Sequence, residues 1–371
     1  MSVLDKLLEQ HQILICAGSG GVGKTTTAAA LALRAAQQGR KALVLTIDPA
    51  KRLADALGLR GMGREAVTVP IDGGGSLTAM MLDQKGAWDQ LIERHAPSPE
   101  VRDRILRNRF YQHLSQSFAG SQEYMAVEQL CELYETGHYE TIVVDTPPTR
   151  HALDFLEAPQ RIADFLDRDI VRWFVRPYFS AGWGAMRFVN RTVGFVFRRL
   201  EEATGVSALV EISDFFTAMA GLFENFEPRV RRVYQLLRAP QTVFVLVASP
   251  EEQVLQEAEF FLEQIDRMGV RLGALVINRM HREFLLNGRP PSARMLGAVM
   301  RALEVERNLA RALVENFADY QALGRGDVLR IENFQRALPK PVPLVSVPNL
   351  ASDVHDLHGL RTLHAHLFAE P

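Results

Sequence analysis

The sequence predicts an α/β fold: a mainly parallel central sheet flanked by helices, with a helical subdomain set into it. Three observations predict this. An apolar run, Ile13-Leu14-Ile15-Cys16-Ala17, leads into the glycine-rich stretch Gly18-Ser19-Gly20-Gly21-Val22-Gly23-Lys24-Thr25-Thr26, which opens an alanine-rich helix. Short apolar runs alternate with helical patterns before residue 160 and again after residue 240. Strand–helix–strand repetition of this kind implies parallel strands joined by right-handed crossovers. Between those regions, over 161–239, strand signals vanish. The expected organisation is a nucleotide-binding core in two parts, 1–160 and 240–371, interrupted by a helical insertion at 161–239.

Composition narrows the class. The chain has 371 residues, a formal net charge of −2 and 47% hydrophobic residues, enough for a sizeable core. Near-neutral charge argues against a nucleic-acid partner held by electrostatics. Two cysteines, Cys16 and Cys131, build neither a disulfide framework nor a C-x-x-C zinc pair, which points to a cytoplasmic protein. No apolar run reaches the length of a bilayer span, which leaves room only for a peripheral place at the inner membrane surface.

Residues 1–12 read as a short amphipathic helix, and the first strand follows. The glycine stretch fits the P-loop pattern G-x-x-x-x-G-K-[ST]. Gly20, Gly21, Val22, Gly23, Lys24, Thr25 and Thr26 are the expected nucleotide-binding run. Glycines let backbone N–H groups close on phosphate oxygens, and the helix aims its positive end at the same place. Lys24 reaches the β- and γ-phosphates and is a catalytic candidate; the Thr25 hydroxyl suits Mg²⁺. Helix one is expected from Lys24 to about Gln38, ended by Gly39. The strand 42–47 delivers Asp48-Pro49-Ala50. An acidic residue at such a strand end sits where α/β sheets bind ligands. Asp48 either holds a metal-bound water, orients the attacking water, or caps the next helix.

Residues 66–82 read as a loop and then a strand, 77–82, and 84–136 as several helices. The run Thr141-Ile142-Val143-Val144-Asp145 has the form of a Walker B strand, which puts Asp145 beside the metal. Thr146 to His151 then form the loop that senses hydrolysis. The 161–239 stretch carries Trp173, Phe174, Tyr178, Trp183 and Phe188 with interspersed arginines. It is either an apolar groove for a greasy cargo or membrane surface, or a helical subdomain packed on itself. Strands 242–248, 273–278 and 342–347 and helices 251–268, 292–317, 318–336 and 351–368 complete the pattern. Asn278 and Arg279 end a strand on the nucleotide side, and Pro348 forms the other wall of the base pocket. A guanine site of the Asn-Lys-x-Asp kind would need a carboxylate where this chain has His281, so ATP is favoured over GTP. The C-terminal His355, His358, His364 and His366 read as a solvated helix rather than a metal site.

Taken together these residues resemble the ArsA-type ATPases, a family that includes the arsenite-pump ATPase subunit and the ATPase that guides tail-anchored membrane proteins. Four elements match in order: residues 18–26, Asp48-Pro49-Ala50, Asp145-Thr146-Pro147-Pro148-Thr149-Arg150-His151, and Val276-Ile277-Asn278-Arg279. The resemblance implies a Mg²⁺-dependent ATPase whose two subunits close on ATP and part after hydrolysis, with Asp48 placing the attacking water. It implies a homodimer, or a heterodimer with a paralogous subunit, acting on a hydrophobic helix cargo or a membrane-protein partner. One departure is specific. The family's second loop lysine, five residues before the P-loop lysine, is Ser19 here. The lysine reaches across the dimer, so its loss leaves two further readings open. One is a weakly hydrolysing regulatory half of a heterodimer; the other has Arg150 or Arg52 standing in. An ATPase energising an anion efflux pump is the remaining alternative, and the cysteines that would sense arsenite are missing.

Overall fold

The computed structural model describes residues 1–48, 52–59, 65–117, 121–148, 228–284 and 306–370, with short stretches at 157, 214–215, 217–219, 297–298, 300 and 302. Most of 161–239, including the whole aromatic–arginine run, and Thr149, Arg150 and His151 lie outside the described residues. The chain divides into two compact units. One comprises Met1–Met80, Glu140–Ala152 and Pro240–Pro371; the other comprises Met81–Tyr139 and Leu153–Ala239.

The first unit is built on an eight-stranded sheet. Its strands are β1 (Ile13–Gly18), β2 (Lys41–Thr46), β3 (Val67–Val69), β4 (Ser76–Met81), β5 (Thr141–Asp145), β6 (Thr242–Ala248), β7 (Leu272–Met280) and β8 (Leu344–Pro348), in the spatial order β3-β4-β2-β5-β1-β6-β7-β8. Pairing is parallel from β2 through β5, β1, β6 and β7 to β8, and β3–β4 is antiparallel. β1, β5 and β6 are buried along their whole length. Continuous apolar runs such as Ile142-Val143-Val144 therefore read as strands covered on both faces rather than as alternating ones.

Helices α1 (Val3–Gln10) and α2 (Lys24–Gln37) flank this sheet. α1 starts with a capping box in which Ser2 and Asp5 satisfy each other's backbone N–H groups. The same Asp5 carboxylate accepts from Arg34 Nε at 2.8 Å and Gln38 Nε2 at 3.0 Å, which ties α1 to α2. α2 buries ten of its fourteen residues, mostly alanines, so its backbone approaches the strands closely. The short α3 (Arg52–Ala56) follows β2.

The second unit holds α4 (Gln84–His95), α5 (Pro99–Arg107), α6 (Arg109–Ser117), α7 (Ser121–Glu135) and helical residues 228–238. Its core gathers Trp88, Ile92, Ile105, Tyr111, Tyr124 and Phe215. Arg229 bridges Glu128 at 2.8 Å and Glu135 at 2.7 Å, pinning the 228–238 helix to α7.

Back in the first unit, α8 (Glu252–Arg267) follows β6, α9 (Arg307–Ala337) precedes β8, and α10 (Leu357–Leu367) ends the chain. The sequence reading divides 292–336 at residue 318, but α9 runs unbroken through that point. No proline interrupts it there, and Asn316 and Asp319 lie within the helix rather than ending it. Its Gly324 passes close to the backbone oxygens of His281 and Arg282, so that an added Cβ would sit tightly against them, at 3.2 and 3.3 Å. Among the described residues no helix is long and apolar enough to cross a membrane.

Candidate nucleotide-binding site

The loop after the central strand β1 leads from Gly18 to Lys24, and four contacts from elsewhere in this unit shape it. The backbone at Gly18 lies so near β6 that a Cβ would overlap the Val247 carbonyl oxygen. Ser19 Oγ donates to Glu257 Oε2 of α8 at 2.7 Å. Asn278 Nδ2, at the end of β7, donates to the Val22 carbonyl at 2.8 Å. Pro148, beyond β5, faces Gly20.

Gly23 has φ +97°, a left-handed conformation that suits glycine, and a Cβ there would collide with Asn278 Nδ2. Gly23 is also the N-cap of α2, and no side chain caps that helix. Its free N–H groups and dipole therefore face the loop, which is the arrangement that binds phosphate. Gly20 and Gly21 at the loop's crest are exposed, and Lys24 is buried.

Lys24 Nζ donates to the Ser19 carbonyl at 2.7 Å. Burial pushes its pKa down, with the Asp145 and Asp48 carboxylates acting in the opposite sense. Thr25 Oγ1 donates to Asp145 Oδ2 at 2.8 Å, and Thr46 Oγ1 donates to the same oxygen at 2.9 Å. The other oxygen, Asp145 Oδ1, is buried without a hydrogen-bond partner among the described residues. Burial raises the Asp145 pKa to about 6, although the two threonine hydroxyls and Lys24 work against it. An orphaned carboxylate oxygen beside a threonine hydroxyl is a hard-oxygen donor set of the kind that suits Mg²⁺.

Asp48 stands two residues past β2. Its N–H donates to Thr46 Oγ1 at 3.2 Å, and its carboxylate lies 3.9 Å from Arg52. Asn278 uses both ends of its amide, since its Oδ1 accepts from Arg279 N at 2.9 Å. Arg279 itself has φ +62°, uncommon outside glycine, and its side chain is exposed. Pro348 pairs with Met280 where β8 meets β7, so Asn278, Arg279 and Pro348 occupy neighbouring strand ends. Two contributors, Thr46 and Glu257, escape a reading of the sequence. Thr46 looks like an ordinary strand residue, and Glu257 like one of the several glutamates along an amphipathic helix.

A phosphate loop on the central strand of a parallel sheet, with a buried aspartate from the adjacent strand at the first threonine of its helix, defines a nucleotide-binding protein of the P-loop class. Residues 11–289 match the model of the anion-transporting ATPase family, and the chain belongs to that family. It is an ATPase. Its relatives include the ATPase GET3 of Malassezia globosa, 29% identical over 279 residues, or 75% of this chain and 76% of the relative. The ATPase get3 of Aspergillus terreus is 30% identical over 264 residues, 71% of each chain. That of Neurospora crassa is 27% identical over 280 residues, covering 75% and 76%.

Proposed function

We propose that this ATPase is a Mg²⁺-dependent, nucleotide-gated dimeric switch that couples ATP hydrolysis to the capture and release of a hydrophobic helix, such as the anchor of a membrane protein. The Asp145 node carries the reading. Its two threonines come from the loop helix and from the strand leading to Asp48, so one carboxylate links the phosphate site to the segment that would place water. When bound, Mg²⁺ supplies charge neutralisation at the β- and γ-phosphates. Thr25 and Asp145 are the residues that would hold it. Gly20 to Thr26 wrap the phosphates with backbone N–H groups, and Lys24 exchanges the Ser19 carbonyl for a phosphate oxygen. Asp48 orients the attacking water. Asn278, Arg279 and Pro348 border the base.

Dimer formation and cargo rest on the likeness to the GET3 ATPases, and 161–239 is the proposed cargo or partner surface. The test is steady-state ATP hydrolysis and light-scattering mass, with and without Mg·ATP, on the full chain and on Lys24→Ala. Turnover and ATP-dependent doubling of mass, both lost in Lys24→Ala, are expected. ATP binding undiminished by Lys24→Ala overturns the phosphate-loop assignment.

A second reading draws on Ser19. Its side chain is engaged by Glu257 of its own chain. That contact favours a slowly hydrolysing subunit that works beside a lysine-bearing paralogue. Binding of ATP without turnover by the chain alone supports this reading over the first.

A further inference from the structure

We infer that Glu257 is a positioning residue for the phosphate loop, acting on Lys24 through Ser19. This rests on the loop being the ATP site. One residue carries both contacts: the Ser19 hydroxyl donates to Glu257 Oε2 at 2.7 Å, and the Ser19 carbonyl accepts from Lys24 Nζ at 2.7 Å. A hydroxyl bound to a carboxylate at that distance is a charge-assisted hydrogen bond, stronger than a neutral one.

Glu257 is well placed to be the fixed end. α8 buries Leu255, Ala258, Phe261 and Ile265 along one face, and the half-buried Glu257 lies at the edge of that face. The packed helix therefore holds the carboxylate, and the carboxylate holds the loop. On the loop side, Gly18 already lies against the Val247 backbone of β6, the strand that leads into α8. Ser19 is thus located by the neighbouring strand through the backbone of Gly18 before it and by the following helix through its own side chain.

The chemical consequence concerns Lys24. The ammonium is buried beside the loop and rests on the Ser19 carbonyl. The Ser19 carbonyl is a placeholder for a phosphate oxygen, so where Ser19 sits decides where the ammonium waits. With the latch intact, the loop is ordered before ATP arrives and its ordering cost does not fall on binding. Without it, Ser19 and Lys24 must be ordered by the nucleotide itself. Once phosphates fill the loop they hold it, so the effect falls on ATP affinity far more than on the chemical step.

The test uses the full chain and five variants: Glu257→Ala, Ser19→Ala, the double variant, and the conservative Glu257→Gln and Ser19→Thr. It reads the KM for ATP, kcat, the Kd of a fluorescent ATP analogue and the thermal midpoint. Each alanine variant is expected to raise KM and Kd about tenfold, the scale of one hydrogen bond to a charged group. The double variant should be no worse than either single one, and kcat and the thermal midpoint should stay near wild type. Glu257→Gln and Ser19→Thr, which keep an acceptor and a hydroxyl, should recover most of the affinity. Unchanged KM and Kd in both alanine variants overturn the inference, as do additive losses in the double variant. Lys24→Ala in the same assay separates the two levels. If it abolishes binding while Glu257→Ala does nothing, the latch alone fails. If it binds ATP normally, the phosphate-loop reading fails and the latch with it.

Discussion

Thr25 and Asp145 stand 120 positions apart in the chain and 2.8 Å apart in the fold. The contact joins the first turn of α2 to the end of β5 and leaves the second oxygen of the carboxylate buried without a partner among the described residues. Burial lifts the Asp145 pKa from 3.8 to about 6. The folded chain therefore binds this proton more tightly than the unfolded chain, and its stability falls as pH rises through the window between those values. The ionised carboxylate costs the nucleotide-free protein roughly 2–3 kcal/mol at neutral pH. Asp145→Asn should be more stable than wild type at neutral pH by a similar amount and lose its advantage at about pH 4. Urea denaturation across that range checks this, and parallel curves for the two proteins would count against it. Mg·ATP affinity should move the other way, weakening in wild type as Asp145 takes up its proton.

Gly23→Ala should be worse than Gly21→Ala. Both positions have positive φ, which costs an alanine about 1–2 kcal/mol. At Gly21 nothing lies within 4 Å of an added Cβ, whereas at Gly23 it meets Asn278 Nδ2. Gly23→Ala must also displace the amide that holds the Val22 carbonyl. We expect Gly23→Ala to lose ATP binding and a further 1–3 kcal/mol or so of stability. Calorimetric titration with ATP beside denaturation distinguishes the two effects, and equal behaviour of the two variants would sink the argument.

Asp48→Asn should bind ATP and fail to turn it over. The substitution keeps the backbone N–H that bonds Thr46 and removes only the carboxylate charge. A loss of about 100-fold or more in kcat with KM within a few-fold is expected for a group that positions water. Full activity removes Asp48 from the mechanism.

In the helical unit, Arg229→Met should be costly out of proportion to its exposure. Glu128 is buried, and its pKa is raised by burial even with Arg229 beside it. Removing the guanidinium strands that carboxylate, for a loss of about 3–5 kcal/mol. Adding Glu128→Gln should restore much of it. A double-mutant cycle by chemical denaturation measures the coupling, and additive losses would show that the pair does not act as one.

The parts of this architecture that show in the sequence are those carried by neighbours in the chain. Gly18 to Thr26 announce the phosphate loop because every residue type in it has a local backbone reason. The apolar runs at 141–145 and 242–248 show as buried parallel strands because they are apolar throughout. What stays hidden is set by distant pairings. Ser19 meets Glu257 across 238 positions, and Thr46 meets Asp145 across 99. Neither Glu257 nor Thr46 has a local pattern to betray it. The continuity of α9 is hidden for the same reason, since its Gly324 is explained only by the backbone oxygens of His281 and Arg282. The choice between groove and packed core for 161–239 falls largely outside the described residues.

The central place of β1 also governs how the molecule is assembled. Its neighbours on either side begin at Thr141 and Thr242, so the strand that carries the phosphate loop emerges early in synthesis and waits with both edges open. The loop's own restraints come later still, with Asn278 following Val22 by 256 residues. Folding of this unit is thus dominated by long-range closure, which is slow and exposes hydrophobic edges to misassociation. ATP gives such a chain nothing until it is nearly finished. Once the site exists, ATP stabilises the completed molecule by mass action. Truncated or stalled chains should therefore be the ones that depend most on chaperones.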